Sequence, residues 1–128
     1  METALDLHTV SPLTLAFLGD GVYGLLVREY LVNEGNRPAG ELHRESVELV
    51  KAEAQAAAIM RILPLLTEEE QAVFRRGRNA HTSRSGTDYH HATGLEALFG
   101  YVYLKGDTAR LRELFTLAIG ASAAAKTV

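Results

Sequence analysis

A chain of 128 residues with 47% hydrophobic content is long enough to bury a core and too apolar to stay disordered. The net charge of −3 argues against a wholly basic nucleic-acid binder, and the lack of cysteine excludes disulfides and thiolate-bound zinc. No run is apolar enough to span a bilayer and no signal-peptide pattern opens the chain, so a cytoplasmic protein without a membrane partner is expected.

Helical spacing dominates and alternating apolar–polar runs are missing, which predicts an all-α domain of six or seven helices. Ser11 and Pro12 read as an N-cap and a first-turn proline. The helix they open runs to about Val32 and stops at "NEGNRP", where Gly35 and Asn36 suit a C-terminal cap. A second helical region spans roughly 38 to 63 and ends at Pro64; its length implies a break near Val50. Thr67 and Glu70 form a capping-box pattern that opens a helix to about Arg76. "GRNAHTSRSGTD", 77 to 88, reads as a polar loop. Helical spacing resumes at Asp88 or Tyr89 and runs to Leu104. "KGD" stops it and makes Asp107 the N-cap of a last helix reaching about Ala124. No repeat and no linker divides residues 1–128, so one domain is expected.

Two helices carry an isolated acid. In "LAFLGDGVYGLLV", 15 to 27, Asp20 stands among apolar residues with glycines at 19, 21 and 24. Each glycine costs roughly 1 kcal/mol relative to alanine inside a helix. The usual return is close approach by another helix or a ligand. Asp20 and Gly24 are four apart and share a face. "GLEALFGYVYL", 94 to 104, repeats the pattern with Glu96 and Gly100. Packed together, the two helices would bring Asp20 near Glu96. Two such carboxylates repel unless one is protonated or a divalent cation joins them, and Mg²⁺ suits a few carboxylates plus waters. The plainer reading is a narrow polar stripe, or acids paired with arginines.

"RRGRNAHTSR", 75 to 84, has four arginines and no acid. Arg75, Arg76, Arg78, Asn79 and Arg84 suit phosphate contacts, because arginine offers forked donors and glycine admits a close backbone. Basic side chains also simply favour a helix C-terminus, which accounts for Arg75 and Arg76. His90 and His91 point about 100° apart on a helix and chelate poorly. With His43 and His81 they suit RNA contact or solvation better than a metal. A carboxylate pair beside a basic loop suggests metal-assisted phosphodiester hydrolysis.

"LAFLGDGVY" resembles the signature of the ribonuclease III family, and "LEALFGYVYL" resembles that family's second catalytic helix. "FRRGRNA", "ELHRESVELVKAEAQA" and the length are more similar to its short bacterial branch, Mini-ribonuclease III, over about residues 12 to 120. The resemblance implies an all-α endonuclease without a double-stranded-RNA-binding domain. Such an enzyme works as a homodimer, needs Mg²⁺, and cleaves double-stranded RNA to leave 5′-phosphate and 3′-hydroxyl ends. It also implies a role in maturing the large-subunit (23S) rRNA precursor, where a ribosomal protein on the precursor is a further partner. By position, Asp20 and Glu96 fall on catalytic metal-site carboxylates. Phe17 falls on the aromatic that packs across the dimer interface, and residues 75 to 80 on the region of RNA contact. Ala16 and Thr93 stand where the larger enzymes of the family have carboxylates, a loss shared by the branch that leaves the number of metal ions open.

Three competing readings remain at this level. One is a catalytically inactive ribonuclease III-like RNA-binding module. Another is a helical phosphohydrolase of small substrates using His43, His90 or His91. The third is a helical interaction protein whose glycines serve packing alone.

Overall fold

The structure, a computed structural model, describes residues 6–80 and 86–120. Six α-helices follow one another with no strand among these residues: α1 (Pro12–Glu34), α2 (Ala39–Val50), α3 (Ala52–Ile62), α4 (Glu68–Arg78), α5 (Thr87–Leu104) and α6 (Thr108–Ala118). None is long and apolar enough to cross a membrane.

Each start signal acts as its chemistry requires. The Ser11 hydroxyl accepts from the Leu13 amide ahead of Pro12. Thr67 and Glu70 form both bonds of the capping box at α4. Asp107 accepts from the Arg110 amide at α6. Gly35 ends α1 with a φ of 148°, a value side chains rarely tolerate. The region after Pro38 breaks at Lys51, whose extended backbone ends α2 and begins α3.

Several boundaries differ from the sequence reading, and α1 runs to Glu34 rather than about Val32. Helix α4 runs through Gly77 to Arg78 rather than stopping at Arg76. Gly77 is there for packing: a Cβ on it would lie 2.7 Å from the Ala97 Cβ and 3.0 Å from the Gly94 Cα. Helix α6 ends at Ala118, capped by Ile119, and the expected end at Ala124 lies outside the described residues.

Helix α5 is the centre, packed by α1, α3, α4 and α6. Its residues Ala92 to Leu95 and Ala97 to Val102 are all buried. Around it, Tyr23 of α1 meets Phe99 edge-on at 5.0 Å and Phe115 of α6 at 5.5 Å. Burial raises the Tyr23 phenol far above its ordinary range. Helix α1 buries Leu15, Val22, Leu26, Val27 and Leu31, while its opposite side keeps Leu13, Phe17 and Leu25 exposed.

Candidate active site

The site is made by a helix crossing too close for side chains. A Cβ on Gly19 would sit 1.6 Å from the Glu96 carbonyl oxygen, and one on Gly100 would sit 2.1 Å from the Leu15 carbonyl oxygen. Only hydrogens fit at these two points, so α1 and α5 touch backbone to backbone. The next residue after Gly19 is Asp20, and the crossing sets its side chain against that of Glu96, with which it hydrogen-bonds. The Gly24 face expected from sequence is not the one used. Gly24 is covered by Arg28, whose Nη1 donates to the Gly24 carbonyl at 3.0 Å, and Gly21 has nothing within 4 Å. A helix crossing needs its glycine where the axes meet, and that point lies one residue before Asp20.

Asp20 is exposed and Glu96 is half-buried. Burial, and then the charge of Asp20 beside it, push the Glu96 carboxyl up to about 7. A third group opposes this rise. Gln55 of α3 is 2% exposed and hydrogen-bonds the Glu96 side chain, favouring its ionised form. The Gln55 carbonyl oxygen, Oε1, is buried and finds no partner among the described residues. Gln55 was not singled out by sequence; an amide alone in the alanine run "AEAQAAA" was the available signal.

This donor set fits a hard cation that keeps most of its waters. It offers two carboxylates that repel each other and one unsatisfied amide oxygen. It does not fit a metal wanting three or more protein ligands, since no group of three His, Cys, Asp or Glu converges among the described residues. Ala16 is buried and has no donor atom, and the Thr93 hydroxyl donates to the Tyr89 carbonyl at 3.0 Å. His91 stacks on Phe74, His43 is exposed on α2, and His90 lies in the first turn of α5.

The basic segment is the end of a helix as far as Arg78, not a loop. Helix α4 crosses α5 at Thr93–Ala97, about one turn from the α1 crossing at Glu96–Gly100. Arg75, Arg76 and Arg78 stand in the last turn of this helix. Their surroundings differ. Arg75 is exposed. Arg78 lies over the Phe74 ring at 5.6 Å and its Nε donates to the Asn79 Oδ1 at 3.2 Å. Arg76 donates to the Val10 carbonyl at 3.2 Å, tying α4 to the start of α1. Arg84 and His81 lie outside the described residues.

About one turn before Asp20 on α1, Phe17 is 84% exposed. Beside it runs a groove of about 300 Å³ whose lining includes Leu18, Gly21, Leu25 and Tyr103.

Residues 13–107 match the Ribonuclease III domain. Mini-ribonuclease 3 of Thermoanaerobacter is 47% identical over 116 residues, covering 87% of this chain and 82% of that protein. Mini-ribonuclease 3 of Symbiobacterium thermophilum is 46% identical over 115 residues, covering 86% and 88%. A crystal structure of a Fusobacterium nucleatum protein superposes with a TM-score of 0.81 at 30% identity, covering 92% of this chain and 94% of that one. Fold and matches together define a ribonuclease III-type enzyme, an endoribonuclease. The chain belongs to the Mini-ribonuclease 3 group of that family. This sets aside the small-substrate hydrolase, the pure interaction protein and the inactive RNA binder.

Proposed function

We propose that this endoribonuclease cleaves double-stranded RNA with Mg²⁺ held by Asp20 and Glu96. The observation that carries the reading is the meeting of these two carboxylates across the Gly19–Gly100 crossing. When bound, the cation supplies positive charge to a phosphate oxygen and makes a water more acidic at neutral pH. Asp20 and Glu96 would hold it in their ionised forms, and their mutual repulsion is relieved by doing so. Attack by water in line with the 3′ oxygen, which departs, leaves 5′-phosphate and 3′-hydroxyl ends.

Arg75, Arg76, Arg78, Asn79 and Arg84 are assigned to the RNA backbone. Duplex RNA is read largely by shape, phosphates and 2′-hydroxyls, so these contacts orient the strand without selecting its sequence. These contacts are made mostly by basic side chains on phosphates. The affinity for duplex therefore depends strongly on salt.

A homodimer completes the picture. An isologous contact would place Phe17 of one copy in the partner's groove beside Gly21, where no side chain stands in the way. Two such subunits present one site to each strand of a duplex. The proposed substrate is the large-subunit (23S) rRNA precursor in the cytoplasm, with a ribosomal protein bound to it.

The test is cleavage of a duplex RNA in Mg²⁺ by wild type, Asp20→Asn and Glu96→Gln, with binding followed in parallel in EDTA. Both variants are expected to bind duplex and fail to cut it. Cutting by Asp20→Asn at the wild-type rate would remove Asp20 from the site.

A further inference from the structure

Gln55 has a place that its packing alone does not explain. It is 2% exposed, it sits on α3 against α5, and every other residue from Ala54 to Ala58 is alanine. A buried amide has two donors and an acceptor to satisfy, and leaving one unmade costs about 1–3 kcal/mol. Here the NH₂ end is used on Glu96 and the oxygen end is not used at all. An apolar side chain of the same length would avoid that cost. Both ends belong to one planar amide, so the idle oxygen lies beside the carboxylate that the NH₂ group holds. Ala16 contributes no side-chain oxygen to the same crossing.

Resting on the reading that Asp20 and Glu96 hold a divalent cation, we propose that Gln55 is the positioning residue of that site. Its Nε2 fixes the Glu96 carboxylate, and its Oε1 accepts a hydrogen from a water in the hydration shell of the cation. An acceptor on such a water limits its rotation and turns its lone pairs toward the cation. One amide thus orients a protein ligand and a water at once. Outer partners of this kind typically change metal affinity by about 10- to 100-fold. Gln55 does not touch the RNA in this scheme, so its loss leaves duplex affinity unaltered.

The test measures Mn²⁺ binding to the RNA-free protein by electron paramagnetic resonance, for wild type, Gln55→Met, Gln55→Leu and Asp20→Asn. Gln55→Met keeps the length and removes both polar ends. It is expected to weaken Mn²⁺ about tenfold or more while the metal-free protein melts no lower than wild type. Gln55→Leu, apolar and of similar volume, is expected to lose the same affinity, which a role in packing alone would not produce. If Gln55→Met binds Mn²⁺ as wild type does, or if it merely melts lower with unchanged affinity, the assignment is wrong. If Gln55→Met fails to fold, Gln55→Leu decides: a tenfold loss of affinity supports the assignment, and affinity within a few-fold of wild type overturns it. Asp20→Asn separates the two claims. Unchanged Mn²⁺ affinity in that variant would overturn the underlying cation site, whereas loss there with no loss in Gln55→Met would overturn only the role of Gln55.

Discussion

Replacing Gly19 by alanine tests the helix crossing that makes the site. The new Cβ would fall 1.6 Å from the Glu96 carbonyl oxygen, where ordinary contact begins near 3.4 Å. The helices would have to part by about 1.8 Å along that line. The obstructing atoms are backbone, so no rotamer change relieves them. Overpacking commonly costs 1–3 kcal/mol, and a clash with backbone on both sides belongs at the upper end, about 3 kcal/mol. For a chain of this length that lowers the melting temperature by about 10 °C. The alanine also displaces Asp20 from Glu96, and misplacement by about 1 Å can cost a hundredfold in rate. Circular dichroism melts and duplex cleavage would be measured side by side, with Gly40→Ala as control. A Cβ on Gly40 meets only the Arg44 Nη1, at 3.5 Å, so that variant is expected to melt at or above the wild-type temperature. Gly19→Ala melting within 2 °C of wild type at full activity would refute the crossing.

Three further outcomes follow from the same geometry. Glu96 ionises at about 7 in the metal-free fold against an ordinary 4.5, so the folded chain binds more protons than the unfolded one between those values. The stability it contributes is complete below 4.5 and is lost as pH rises through about 7. Urea unfolding in EDTA should show this fall, and Glu96→Gln should flatten it; an equal fall in both proteins would show that Glu96 is not its source. Phe17→Ala should convert the dimer to monomer in sedimentation, since burying a phenylalanine contributes about 1.5–3 kcal/mol per copy. A dimer unchanged at low micromolar concentration would place the interface elsewhere. Arg75→Glu and Arg78→Glu should weaken binding to every duplex sequence and lower the salt dependence by about one phosphate each, while Arg76→Glu should also lower the melting temperature by releasing Val10. Selective loss on one sequence would contradict backbone contact.

Helix starts were legible in the sequence because their signals are local. Ser11, the Thr67–Glu70 box and Asp107 each act within three residues. The two carboxylates were legible as anomalies, since a lone acid in an apolar helix needs an explanation. Which glycine lies at the crossing was not legible, because Gly19, Gly21 and Gly24 differ only in what another helix places beside them. Gly77 misled for the same reason: it reads as a helix stop and serves as a contact with Gly94 and Ala97. Gln55 was missed because its role exists only once α3 lies against α5.

The central claim is that Asp20 and Glu96 together hold a divalent cation. Anomalous diffraction from crystals of the wild-type protein soaked in Mn²⁺ tests it most directly. One peak is expected between the two carboxylates, absent in Asp20→Asn crystals soaked in the same way. Density for Mn²⁺ elsewhere, with the Asp20–Glu96 pair bare, would contradict it.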